Sequence, residues 1–273
     1  MMADGSRIAA PAIAGHEFGG MLSRWRKARR ISQLDLALDA GVSSRHLSFV
    51  ETGRARPSRE MVLRLCSALD VPLRERNLLL LAAGFAPVHR ETPLDAPEMA
   101  GMLGALRLIL SRHDPFGAVA FDRNWDIVMA SEAYAALVNA CLPDTPIAPL
   151  TLTRTPRPNM LRLLCRPDGH RAHVVNWAEA ARAVLARAVR EAAQDDPGGT
   201  RRTLLAEVLA YPGVPAPEPA AAAAGGAPLI VPVELRQGGG GTIRLLSTIA
   251  TLGTAEDITL RELRIEAFYP AEE

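Results

Sequence analysis

The chain reads as an α+β protein in two parts, a small helical domain followed by an antiparallel sheet with helices. Three observations carry this reading. Residues 32–59, SQLDLALDAGVSSRHLSFVETGRARPSR, hold two short amphipathic stretches joined at Gly41. Residues 84–97, GFAPVHRETPLDAP, interrupt the helical pattern with prolines and a glycine. Beyond that break, strand-like and helical runs alternate and end in PLIVPVELR, TIRLLSTIATLG and ELRIEAFYP.

In the first part, Ser32 is an N-cap whose hydroxyl can accept from the backbone at Asp35 while Asp35 reaches back to it. A helix starts at Gln33, with Leu34, Ala37 and Leu38 expected along one packed face and Ala37 small where a second helix crosses. Gly41 can take the left-handed conformation that ends it. Val42 fills the corner, Ser43 caps the next helix, and Leu47 with Val50 turns inward. The opposite face then presents Ser43, Ser44, Arg45 and, one turn on, Ser48. The leading residues of such a helix reach base edges in the major groove, and Arg45 is the first choice for direct readout.

Over residues 18–83 the chain resembles the lambda-repressor-like, XRE-family DNA-binding domains, with GVSSRHLSFVETGRARPS matching recognition helix, Glu-x-Gly and basic loop. The resemblance implies a five-helix helix-turn-helix domain, with helices at 18–29, 33–40, 44–52, 59–69 and 73–83. It implies an ion pair between Arg26 and Glu51 that ties the first helix to the third. Gln33 would donate to a backbone phosphate, and Arg54 and Arg56, with Arg59, would clamp a neighbouring one. Charge agrees: residues 1–90 carry 14 basic and 8 acidic side chains, +6, against −5 for the remainder of a chain whose net charge is +1. The implied partner is a double-stranded DNA operator, bound by a homodimer that doubles the phosphate contacts.

Residues 1–17 are expected to be a disordered lead, 84–97 a linker, and 98–273 the second domain. That domain opens with a helix at 98–113, then a strand, a turn at Asp122–Asn124 and a second strand through PFGAVAFDRNWDIVMAS. Ser131 caps a short helix, a long one around 171–193 carries Val175, Ala178, Val184, Leu185 and Val189, and another follows at 200–210. The Ala/Pro/Gly-rich stretch 212–228 reads as a loop, and three late strands, the first two joined by QGGGG, complete a sheet of about five.

This order is PAS-like, and FDRNWDIVMASEAYA, NMLRLL and NWAEAARAVLARAVREA followed by a terminal hairpin resemble the MmyB-like ligand-binding domain. The resemblance implies a cavity between sheet and helices for a small, fatty-acid-like apolar ligand. Trp125, Met129, Tyr134 and Trp177 are the candidate walls, with Asn159, Arg162 and Asn176 as candidate head-group contacts, although aromatic and methionine residues at such spacing usually form core. Arg162 attracts attention because a guanidinium can hold a carboxylate through two parallel hydrogen bonds. Pairing with Asp168 is the competing role for it.

Other classes find little support. Cys165, His170 and His173 lie close together but lack a fourth donor at recognisable spacing, so no metal is assigned. No nucleophile elbow, phosphate loop or dinucleotide fingerprint occurs, so neither an enzyme nor a cofactor is implied. The three cysteines suggest free thiols rather than a disulfide framework. With no apolar run of membrane-spanning length and no signal-like start, a cytoplasmic location without membrane association is expected. The expectation is a transcriptional regulator with a sensor domain. The alternative is a repressor or antitoxin whose second half only dimerises.

Overall fold

The computed structural model describes residues 10–144, 146–193, 199–217, 232–236 and 240–271. The chain divides into two compact units, one of residues 1–92 with 254–261 and one of 93–253 with 262–273.

The first unit holds α1 (Ala10–Ala28), α2 (Gln33–Asp39), α3 (Ser44–Glu51), α4 (Arg59–Ala68) and α5 (Leu73–Ala82). The first helix starts at Ala10, so residues 10–17, expected in the disordered lead, are helical. Their alanines favour helix, and Pro11 falls in the first turn, where its missing N–H costs nothing. Helices α2 and α3 both end in the same closure. After α2, Gly41 sits at φ 63°, its N–H donating to the Leu38 carbonyl while that of Val42 donates to Ala37. After α3, Gly53 at φ 72° repeats this, with Gly53 donating to Val50 and Arg54 to Phe49.

The core of this unit includes Phe18, Leu22, Leu36, Ala37, Leu47, Val50, Val62, Leu65, Leu79 and Leu80. Here α2 departs from expectation: Leu34 and Leu38 are 59% and 70% exposed, whereas Leu36, Ala37 and Ala40 are buried. The inward stripe starts two residues later than expected, and Gln33, the first residue of α2, is turned toward α3, where it donates to Glu51. Residues 84–92 do not hang free. Asn77 on α5 accepts from the N–H groups of Val88 and His89 and donates to the His89 carbonyl, and Arg74 pairs with Glu91. The segment 254–261 joins them: Asp257 Oδ2 accepts from the Thr92 N–H at 3.1 Å and hydroxyl at 2.6 Å, and Ile258 N–H donates to the Arg90 carbonyl.

The second unit holds α6 (Ala100–Ser111), β1 (Ala118–Phe121), β2 (Ile127–Ala130), α7 (Glu132–Cys141), α8 (Met160–Cys165), α9 (Trp177–Ala192), α10 (Thr200–Leu209), β3 (Val233–Arg236), β4 (Thr242–Thr251) and β5 (Arg264–Pro270). Between β4 and β5 runs the short α11 (Ile258–Glu262). The strands form one antiparallel sheet in the order β2-β1-β5-β4-β3. Ser131 caps α7 as expected, accepting from the Tyr134 N–H. Helix α9 starts at Trp177 rather than near 171, the preceding turn being a 3-10 helix at His170–Ala172. It buries Trp177, Ala180, Ala181, Leu185 and Ala188 and leaves Ala178 exposed, while Val175, expected on its inward face, precedes the helix and is also exposed. The inward side is thus lined by alanines, letting α9 approach closely. Of the stretch 212–228, residues 218–228 lie outside the described residues, as does the centre of the QGGGG connection.

Candidate DNA interface and ligand cavity

Ser43, Ser44 and Arg45 stand exposed at the start of α3, and Ser48, a turn later, is half-buried. Ser43 accepts from the His46 N–H, so capping the helix occupies a hydroxyl lone pair. The Arg45 guanidinium lies 5.6 Å from the Phe49 ring centroid on the same helix. Arg54 and Arg56 are exposed in the loop that the Gly53 closure creates.

Behind this face, Arg26 binds Glu51 through two parallel hydrogen bonds, Nε to Oε1 at 2.7 Å and NH2 to Oε2 at 2.9 Å, and its third nitrogen donates to the Ile31 carbonyl. Burial would raise the Glu51 pKa, yet hydrogen bonds from Arg26, Gln33 and Ser23 outweigh it and hold the carboxyl below its usual range. Gln33 does not point freely outward: one of its amide N–H groups donates to Glu51 at 2.7 Å. An amide carries two donors, so one N–H is left for another acceptor.

In the second unit, a cavity of about 270 Å³ opens between the sheet and helices α7, α8 and α9. Tyr134 and Leu137 from α7, Met160 and Leu164 from α8, and Ala180 and Val184 from α9 form one side. Leu235, Ile243, Leu245, Glu266 and Phe268 form the sheet side. The strand alternation that brings Glu266 and Phe268 to this face sends Ile265 and Ala267 to the other.

Of the seven residues expected here, the cavity is lined by two, Trp125 and Tyr134. Trp125 occupies the left-handed region at φ 67°, held by its N–H on the Asp122 carbonyl and its own carbonyl on the Met160 N–H, and stacks on Phe121 at 5.3 Å. The other five are structural. Met129 is fully buried but pairs with Ala120, on the face opposite Val119 and Phe121. Trp177 joins a neighbouring cluster with Val174 and Ala181, donating Nε1–H to the Leu164 carbonyl at 2.7 Å beneath the Arg171 guanidinium. Asn159 caps α8, accepting from Leu161 and Arg162 while donating to Asn124 and Asp126. Asn176 ties α9 to β3, donating to the Pro232 carbonyl and accepting from the Glu234 N–H. Arg162 is committed to a bidentate pair with Glu207, at 2.8 and 2.7 Å, which holds that carboxyl down at about 2. Asp168 pairs with Arg166 instead.

Residues that sequence reasoning did not assign to the cavity carry its polarity. Glu266 and His170 reach the wall, and His170 Nε2 is buried without a hydrogen-bond partner. Burial holds this imidazole neutral, its pKa pushed down to about 4. Cys165 belongs to the core beside the cavity, its thiol pushed up to about 12 by burial. Among the described residues no three His, Cys, Asp or Glu side chains lie where they could hold a metal, and no helix is long and apolar enough to cross a membrane.

Residues 104–273 match the MmyB-like transcription regulator ligand binding domain, and residues 22–76 match the helix-turn-helix family. No curated protein matches. Among solved structures, the restriction-modification controller protein C.AhdI from Aeromonas hydrophila is 32% identical over 25% of this chain and 98% of its own, with a TM-score of 0.22. The clp gene regulator ClgR from C. glutamicum is 27% identical over 26% of this chain and 88% of its own, with a TM-score of 0.23. Since the first family match runs through more than half of its residues, the chain belongs to the family with the MmyB-like transcription regulator ligand-binding domain, here behind an XRE-type helix-turn-helix: it is a DNA-binding transcription regulator.

Proposed function

We propose that this regulator is a cytoplasmic homodimer that reads its operator with α3 and senses a small apolar molecule, of the acyl-chain kind, in the cavity of its second unit. The observation that carries the sensing is the cavity itself. At about 270 Å³ and with mostly apolar walls, it lies close to the lower bound, roughly 300 Å³, of ordinary small-molecule sites. On DNA, Arg45 with Ser43, Ser44 and Ser48 meets base edges, Arg54 and Arg56 hold phosphates, and the second N–H of Gln33 reaches a phosphate at the start of α2. Two α3 helices would engage half-sites about 34 Å apart. Leu78 and Leu81, exposed on α5, support a self-associating surface.

The ligand acts through different affinities for two states, and the chain path offers a route between them. Strands β4 and β5 contribute Ile243, Leu245, Glu266 and Phe268 to the cavity, and the segment joining them, 254–261, belongs to the DNA-binding unit. In this reading, a shift of either strand is passed along the chain to Asp257, which accepts from Thr92. No catalytic step enters this reading.

Val184→Phe places a larger side chain at the cavity wall. The test is organic extraction and mass spectrometry of purified full-length protein, beside the same preparation of Val184→Phe. A defined apolar compound released stoichiometrically from the wild type and depleted from the variant is expected. An empty wild-type extract, with no thermal shift across fatty acids, alkanols and acyl-CoA, would leave the second unit as a dimerisation module.

A further inference from the structure

The outward side of α3 carries one apolar side chain that its polar neighbours do not explain. Leu47 and Val50 are buried, so helical spacing turns Arg45, Ser48, Phe49 and Thr52 together to the opposite side. Phe49 is half-buried there. Among the described residues, the apolar side chains packed on this unit's core include Trp25, Ile31, Val42 and Ala55 but not Phe49. Its ring lies beneath the Arg45 guanidinium instead, with 5.6 Å between the ring centroid and Cζ.

The pair is held in place from both sides. Arg45 and Phe49 stand one turn apart, the spacing at which side chains on a helix meet. The Phe49 carbonyl accepts from the N–H groups of Arg54 and Ala55, at 2.8 and 3.1 Å, and from the Thr52 hydroxyl at 3.3 Å, which ties the backbone under the ring to the start of the basic loop. A guanidinium resting on an aromatic face keeps its in-plane N–H donors free, and that planar fork matches O6 and N7 of guanine. The ring makes a different demand. The edges of the bases in the major groove offer one apolar group, the C5-methyl of thymine, and any other base there sets the ring against polar or unmethylated edges. Successive bases lie about 3.4 Å apart. A guanidinium on one base pair and a ring 5.6 Å from it therefore reach adjoining pairs.

We propose that α3 reads a step of two base pairs, with Arg45 on the guanine of one pair and Phe49 on the thymine methyl of the next. This rests on the reading of α3 as the helix that contacts the operator, and it names the step selected. Phe49 then acts twice, as the platform that orients Arg45 and as a specificity residue of its own.

The experiment takes a duplex selected from a random pool by the full-length protein and measures its binding by fluorescence anisotropy. In one half-site each guanine is replaced in turn by an analogue lacking the N7 acceptor, and each thymine by deoxyuridine, which lacks only the methyl. One guanine is expected whose replacement weakens the wild type but not Arg45→Ala. At a thymine of the next base pair, deoxyuridine is expected to weaken the wild type by about fourfold, the effect of one buried methyl group, and to leave Phe49→Ala unchanged. If that guanine is found but no adjoining thymine is sensitive, or if Phe49→Ala keeps the full thymine effect, the proposal is overturned while the reading of Arg45 stands. If Arg45→Ala stays sensitive to every guanine, the reading of Arg45 falls and the proposed step with it. Binding to random-sequence DNA reports whether Phe49→Ala is folded. Should it not be, the wild-type thymine scan beside the Arg45 guanine decides alone, because it alters only the DNA.

Discussion

The two units of this regulator solve recognition in opposite ways. In the proposed reading the DNA-binding unit displays its contact residues on α3, the loop after it and the start of α2, outside a core that holds them up. The second unit assembles its cavity from residues between Pro115 and Phe268, drawn from three helices, three of the five strands and the turns between them. A local display is set by caps, turns and helical spacing. An enclosed cavity depends on strand register and on which side of each helix faces inward, and a one-residue slip exchanges wall for core.

That contrast is sharpened first by removing what supports the local display. Glu51→Ala leaves Arg26 and Gln33 facing an empty site and should cost about 3–5 kcal/mol, read by denaturant unfolding. Because the folded Glu51 pKa is lowered, its contribution is present above the unfolded value and is lost as pH falls through the folded one. The wild type should therefore lose stability on acidification below the ordinary glutamate range more steeply than Glu51→Gln. Parallel acid limbs would show that the pair adds no pH-dependent stability.

Next in size, Arg45→Ala should weaken the preferred duplex by about 1–3 kcal/mol and spare random DNA, whereas Arg54→Ala should weaken both alike and reduce the salt slope by about 1. Exchange of these two signatures would reverse the assignment of base and phosphate contacts. An effect of comparable size, on coupling alone, should come at the connection. Asp257→Ala removes the acceptor for both Thr92 donors. It should leave DNA affinity and ligand affinity individually near wild type while abolishing the coupling between them, typically about 1–3 kcal/mol. Retained coupling in anisotropy titrations would exclude segment 254–261 as the route.

Sequence legibility follows the same division. Caps at Ser32, Ser43 and Ser131, the Gly41 closure and the Arg26–Glu51 pair were readable, because each depends on neighbours in the chain or on a family pattern that names both partners. The inward face of α2 was not, since Leu34 and Leu38 keep helical spacing yet face solvent while Leu36 and Ala40 pack. The five-stranded order could be anticipated from alternation and turn residues, but not which face encloses a cavity. Met129 illustrates the cost: the β1–β2 pairing carries a register irregularity between Ala120 and Phe121, and Met129 lies on the far face. Glu266 was missed for a complementary reason. In ELRIEAFYP, an acidic residue alternating with apolar ones reads as solvent-facing, and only the helices above the sheet make that face interior. Asn159, Asn176 and Arg162 were chemically plausible head-group contacts, but capping and pairing consume the groups they would have offered.

The central claim, that occupancy of this cavity controls DNA binding, is tested most directly by one titration. A duplex selected by the full-length protein from a random pool is titrated by fluorescence anisotropy with wild type and Val184→Phe, each with and without decanoate. The account predicts that decanoate changes the wild-type Kd by about 5- to 150-fold and leaves that of Val184→Phe unchanged. The same change in both chains, or none in either, would contradict it.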